Sequence, residues 1–174
     1  MTNKLLKLLK ETKEAFTRGF SEGFTKQTGC GINITLDHEL VRKNGIIFAM
    51  YCLYSDGSSE IIVDDEFNIA PKEVREFIIW HELGHIGNAD DIRNLSCEIK
   101  ADAFAASKIG SNNAVDALKY MWRRLANIDV SACIDIPSRL KDLGVDVSGM
   151  YIKGINGKVF HEPELRAILE GSCK

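Results

Sequence analysis

Apolar positions along the 174-residue chain change period twice. In the first stretch, Leu5, Leu9, Phe16, Phe20 and Phe24 recur at spacings of four and seven, with lysines and glutamates between them. That spacing predicts an amphipathic helix over about the first 25 residues, packed on the core by one face, with membrane-surface binding as the alternative. Gly29 and Gly31 end it around Cys30. Residues 32–64 then read as strands. Ile32-Asn33-Ile34-Thr35-Leu36 alternates, Ile46–Tyr54 is rich in Ile, Phe and Tyr, and Glu60-Ile61-Ile62-Val63 follows the turn signal Ser55-Asp56-Gly57-Ser58. The pattern predicts a sheet of about three strands, the last two forming a hairpin, too small to stand without helical cover.

From Pro71 onward the pattern is helical. Proline suits the first turn, Glu73 and Glu76 favour the N-terminal end, and Gly87-Asn88 reads as the C-cap. A second helix is expected over Asn94–Lys108 ending at Gly110, a third over Asn113–Asn127, and a short one over Pro137–Leu143. Gly144–Lys174 carries no clear pattern. The expected fold class is α+β, a small, mostly antiparallel sheet covered by helices with the site-bearing helix packed on it. One domain over 1–174 is expected, made of an N-terminal helix (1–28), the sheet and site helices (32–110) and a C-terminal helical cover (111–174).

Composition narrows the class. Hydrophobic residues make up 45% and charged residues 27%, as in a water-soluble globular chain, and no apolar run reaches the length of a membrane span. The charge sum, 22 − 25 = −3, argues against a broad nucleic-acid footprint. Five widely spaced cysteines without a C-x-x-C pair argue against a disulfide framework or a cysteine zinc knuckle. The leucine pairs near the N-terminus are broken by Lys7 and Lys10, so no secretion signal is expected, and the chain reads as cytoplasmic.

The chemistry concentrates in His81-Glu82-Leu83-Gly84-His85. Histidines four apart share one helical face, so both imidazoles can reach a single metal ion, with Zn2+ the expected cofactor. Two nitrogens leave room for a third protein ligand and a water, and Glu82 is placed to take that water's proton. The plain alternative is a helix end whose histidines cap carbonyls. Thirteen residues after His85, Glu98 can return on a new helix as third ligand. Asp102, one turn further on, can accept a hydrogen bond from the free ring nitrogen of a ligating histidine and fix its tautomer. The alternative for this acidic pair is a solvated face, but like charges at that spacing repel unless a cation is near.

These motifs resemble the glutamate-zincins and, more closely, the ImmA/IrrE-type intracellular metallopeptidases of bacteria and their mobile elements. The resemblance rests on the strand Ile61-Ile62-Val63, the helix ending at His85, and Glu98-x-x-Ala101-Asp102-x-Phe104-Ala105. It extends weakly through Leu125–Ser131 and Ser138-Arg139-Leu140-x-x-Leu143-Gly144, covering about residues 60–145. The family's proline after F-A-x-x-L-L is missing here, and no N-terminal helix-turn-helix module precedes the site. The resemblance implies a zinc endopeptidase whose partner is a specific protein substrate, such as a transcriptional repressor.

Other residues carry less. His161, Tyr120 and Tyr151 are candidate oxyanion donors, His161 reading more simply as an exposed helix-cap residue. His38 reads as a surface loop residue and Cys97 as a buried thiol. Two functions from other classes stay open. One is a zinc-binding regulator without hydrolysis; the other is a DNA-binding repressor using residues 115–143, against which the net charge and Asp142 beside Arg139 and Lys141 weigh.

Overall fold

The computed structural model describes residues 18, 20, 31–44, 46–86, 94–125, 134–153 and 159–160. The chain forms two compact units, residues 1–82 and 83–174, and the division falls inside one helix. The α+β class is as expected, a small sheet with helical cover.

The first unit holds strands β1 (Asn33–Leu36), β2 (Ala49–Leu53) and β3 (Ser59–Val63), with helices α1 (His38–Lys43), α2 (Asp65–Ile69) and most of α3 (Lys72–Gly84). The sheet order is β1-β3-β2. β2 and β3 form the expected hairpin, with Tyr51 opposite Ile61. β1 runs parallel to β3, with Ile34 beside Ile61, so the sheet is mixed rather than mostly antiparallel. A parallel pairing needs a crossover, and the chain between β1 and β3 supplies it with α1, a helix the sequence pattern did not suggest. His38 opens that helix and is exposed, a surface residue but not a loop residue.

Ile61 and Ile62 point to opposite faces of β3, yet they are only 0% and 2% exposed, so both faces of the sheet are covered. Asp64 ends β3 and caps α2, its carboxylate accepting from the Phe67 N–H at 3.1 Å and pairing with Arg42 at 3.1 Å. Burial pushes the Asp64 carboxyl above the ordinary carboxylate range, against the opposing pull of the Phe67 N–H and Arg42. Of the expected N-terminal helix, only Arg18 and Phe20 lie within the described residues, both helical. The Phe20 ring meets Phe67 edge-on at 5.9 Å.

The second unit contains the end of α3 with α4 (Leu95–Ile109), α5 (Ser111–Leu125), α6 (Ile136–Asp142) and the short pair β4 (Ile152–Lys153) and β5 (Val159–Phe160). Asn94 caps α4 by accepting from the Cys97 N–H at 2.9 Å, and Gly110 ends it at φ +90°, a conformation that glycine adopts without strain. α5 buries Ala114, Ala117, Leu118, Met121 and Leu125, one face at helical spacing. Cys97 is buried as expected, and Cys52 and Cys97 are both free thiols. Among the described residues no helix is long and apolar enough to cross a membrane.

Candidate metal centre

The site is built on α3. Val74, Phe77, Ile78 and His81 are buried at spacings of three and four and form its inward stripe. Phe77 lies one turn before His81, and the two rings sit 5.9 Å apart at a tilt of 34°, so the phenyl ring limits how the imidazole can turn. The helix ends at Gly84, earlier than the Gly87-Asn88 cap read from sequence. His85 follows in a tightened turn in which the Ile86 N–H donates to the Leu83 carbonyl at 3.2 Å. Gly87 and Asn88 lie outside the described residues.

Gly84 is there because α4 leaves no space for a side chain. A Cβ at position 84 would stand 2.8 Å from the Ala101 Cα and 3.2 Å from the Ala101 carbonyl oxygen. Both are backbone atoms, so the turn carrying His85 lies directly on α4. Glu98 is one turn before Ala101 on that helix, and the close approach brings it beside His85.

The ligand atoms of His81, His85 and Glu98 all lie within 4.8 Å of one another. His85 Nε2 and Glu98 Oε1 are 3.6 Å apart, beyond hydrogen-bond range. A tetrahedral shell with bonds of about 2.1 Å spaces its ligand atoms about 3.4 Å apart, close to that separation. Two imidazoles and one carboxylate are also a donor set that suits zinc. The three residues therefore fit a metal ion.

Glu82 follows His81 and belongs with the sheet. Its Oε2 accepts from the backbone N–H of Tyr51 at 2.9 Å. The hairpin explains why that N–H is available. Phe48 C=O accepts from Asp64 N–H, and Tyr54 N–H donates to Ser58 C=O, so even-numbered residues of β2 face β3. By alternation, Ala49, Tyr51 and Leu53 turn their backbone groups away from β3. Cys52, next along β2, has its thiol pKa pushed up by burial and by the charges of Glu60 and Glu82.

Asp102 is buried, at 1% exposure, and its carboxylate meets a group the sequence did not pair it with, Arg139. Its Oδ2 and Oδ1 accept from Arg139 Nε and Nη2, each at 2.7 Å. The third nitrogen, Nη1, lies 3.1 Å from Glu98 Oε2. Burial by itself would lower the Arg139 pKa, but Asp102, Glu98 and Asp135 outweigh it and raise the value, keeping the guanidinium charged. In the sequence Arg139 stood out only within the Ser138-Arg139-Leu140-x-x-Leu143-Gly144 resemblance and as a basic residue, offset by Asp142, of a would-be recognition helix. Its available signal was position: Arg139 stands four residues before Leu143 on a short helix whose Ile136 and Leu140 are buried, so its own stem faces inward.

Tyr120 is half-buried on α5, and Tyr151 is 52% exposed just before β4. His161 lies outside the described residues. Scans of protein-family models, curated proteins and solved structures found no match to this chain.

Proposed function

We propose that the protein is a zinc-dependent endopeptidase acting on a specific protein substrate, in the cytoplasm. The reading is carried by one observation: two histidines and a glutamate gather their ligand atoms within 4.8 Å, and the motif glutamate Glu82 sits beside the first histidine. His81, His85 and Glu98 would hold the ion. Bound there, zinc would supply a Lewis acid for the scissile carbonyl and make water more acidic.

The remaining work falls to this chain's own groups. Glu82 takes the proton of the attacking water and delivers it to the leaving amine. The Tyr51 N–H holds that carboxylate in one orientation. On either side of Tyr51, the backbone groups of Ala49 and Leu53 that face away from β3 can pair with an extended peptide, aligning a substrate backbone past the carboxylate. The resemblance noted in the sequence suggests a transcriptional repressor as that substrate.

The test compares the proteomes of cells expressing the parent chain or Glu82→Gln. One protein cut only in the presence of the parent supports the proposal. Identical proteomes would favour a zinc-binding regulator that does not hydrolyse.

A further inference from the structure

We infer that Arg139 is a positioning residue for the metal centre, holding Glu98 so that one carboxylate oxygen is committed to the protein and the other to the ion. This rests on the metal-site reading above. Glu98 is divided between two neighbours. Its Oε2 lies 3.1 Å from Arg139 Nη1, whereas its Oε1 faces His85 Nε2 at 3.6 Å. A carboxylate restrained at neither oxygen can rotate; here Arg139 restrains Oε2 and leaves Oε1 turned toward His85.

The guanidinium is itself fixed. Two of its nitrogens are bound to Asp102 at 2.7 Å each, and it comes from α6, 37 positions downstream of Asp102. Because the guanidinium is planar and rigid, the fork that locks onto Asp102 also sets where the third nitrogen points. Asp102 thus anchors Arg139, and Arg139 places Glu98.

A buried Arg–Asp pair can also be a plain fold anchor, because breaking such a pair is destabilising wherever it occurs. The two roles differ in whether the effect passes through Glu98. Lysine at 139 keeps the charge but offers one point donor, which cannot hold Asp102 and Glu98 in the fork geometry.

The experiment is a double-mutant cycle read by competition of the purified full chain with a chromophoric chelator for Zn2+. The variants are Arg139→Lys, Glu98→Ala and both together, with the melting of each zinc-free chain followed alongside. Arg139→Lys is expected to lower zinc affinity by about 10–100-fold, the range for groups that orient a ligand. In the Glu98→Ala background the same change is expected to cost nothing further. An equal loss in both backgrounds, no loss in either, or an Arg139→Lys chain that no longer melts cooperatively would overturn the inference and make Arg139 a fold anchor. A parent chain that takes up no zinc would instead bring down the metal reading on which the inference stands.

Discussion

The proposed function gives Glu82 two roles that a single substitution separates. Glutamine keeps the shape and retains a carbonyl oxygen able to accept from the Tyr51 N–H, so α3 and its histidines should stay in place. A group able to take a proton is lost. Glu82→Gln is therefore expected to retain parental zinc and to lose about 10²–10⁴-fold of substrate cleavage, the usual share of general-base catalysis. Metal content and single-turnover cleavage measured on one preparation check both halves. Asp64 gives a residue-scale test of the fold. Its pKa is raised in the folded chain by burial, so its stabilising contribution is complete below the unfolded carboxylate value and is lost as pH rises through the folded one. Asp64→Asn mimics the protonated form and keeps a good cap for α2. Melting temperatures from pH 3 to 7 should show the variant gaining on the parent as pH rises. A gap that moves the other way would mean that Arg42 outweighs burial.

At the scale of elements, the contact of Gly84 with Ala101 sets the geometry of the site. Replacing glycine by alanine inside a helix ordinarily gains about 1 kcal/mol. At position 84 the new methyl would press on the Ala101 backbone at 2.8 Å, and overpacking of that kind costs about 1–3 kcal/mol. Gly84→Ala should therefore lower the melting temperature, and by pushing the His85 turn off the Ala101 backbone it should weaken zinc binding. An unchanged affinity with a higher melting temperature would refute the account of the helix contact. The elements also show what sequence can carry. α4 was legible almost to the residue because Asn94 and Gly110 mark its ends with side-chain and backbone chemistry. The histidine pair was legible from its spacing of four, which keeps His85, in the turn after α3, on the side of His81, and Glu98 from its place thirteen residues on, in the first turn of α4. The parallel pairing of β1 was not legible, since alternation along Ile32–Leu36 says which faces are buried and nothing of strand direction. Arg139 was missed for a related reason. Its partners on α4 are far away in sequence, and a basic residue on a short helix reads as exposed until the packing of that helix is known.

For the whole molecule, the account makes the metal the link between local sequence and function. The ligand atoms come from α3, from the turn after it and from α4; Phe77 stands against His81, Arg139 against Glu98, and the neighbouring Glu82, which is no ligand, accepts from the Tyr51 N–H of β2. Removing the ion should leave a chain that keeps its secondary structure but melts earlier. A ligand that binds only the folded state stabilises it by mass action, by about 4 kcal/mol at a thousand times its dissociation constant. Calorimetry before and after exhaustive chelation, followed by zinc re-addition, measures that difference. The most direct test of the central claim is the zinc content of the purified chain beside that of a His81→Ala/His85→Ala double variant, by elemental analysis after dialysis. About one zinc per parent chain and essentially none in the variant is the predicted result. Full zinc in the double variant, or none in the parent, would contradict it.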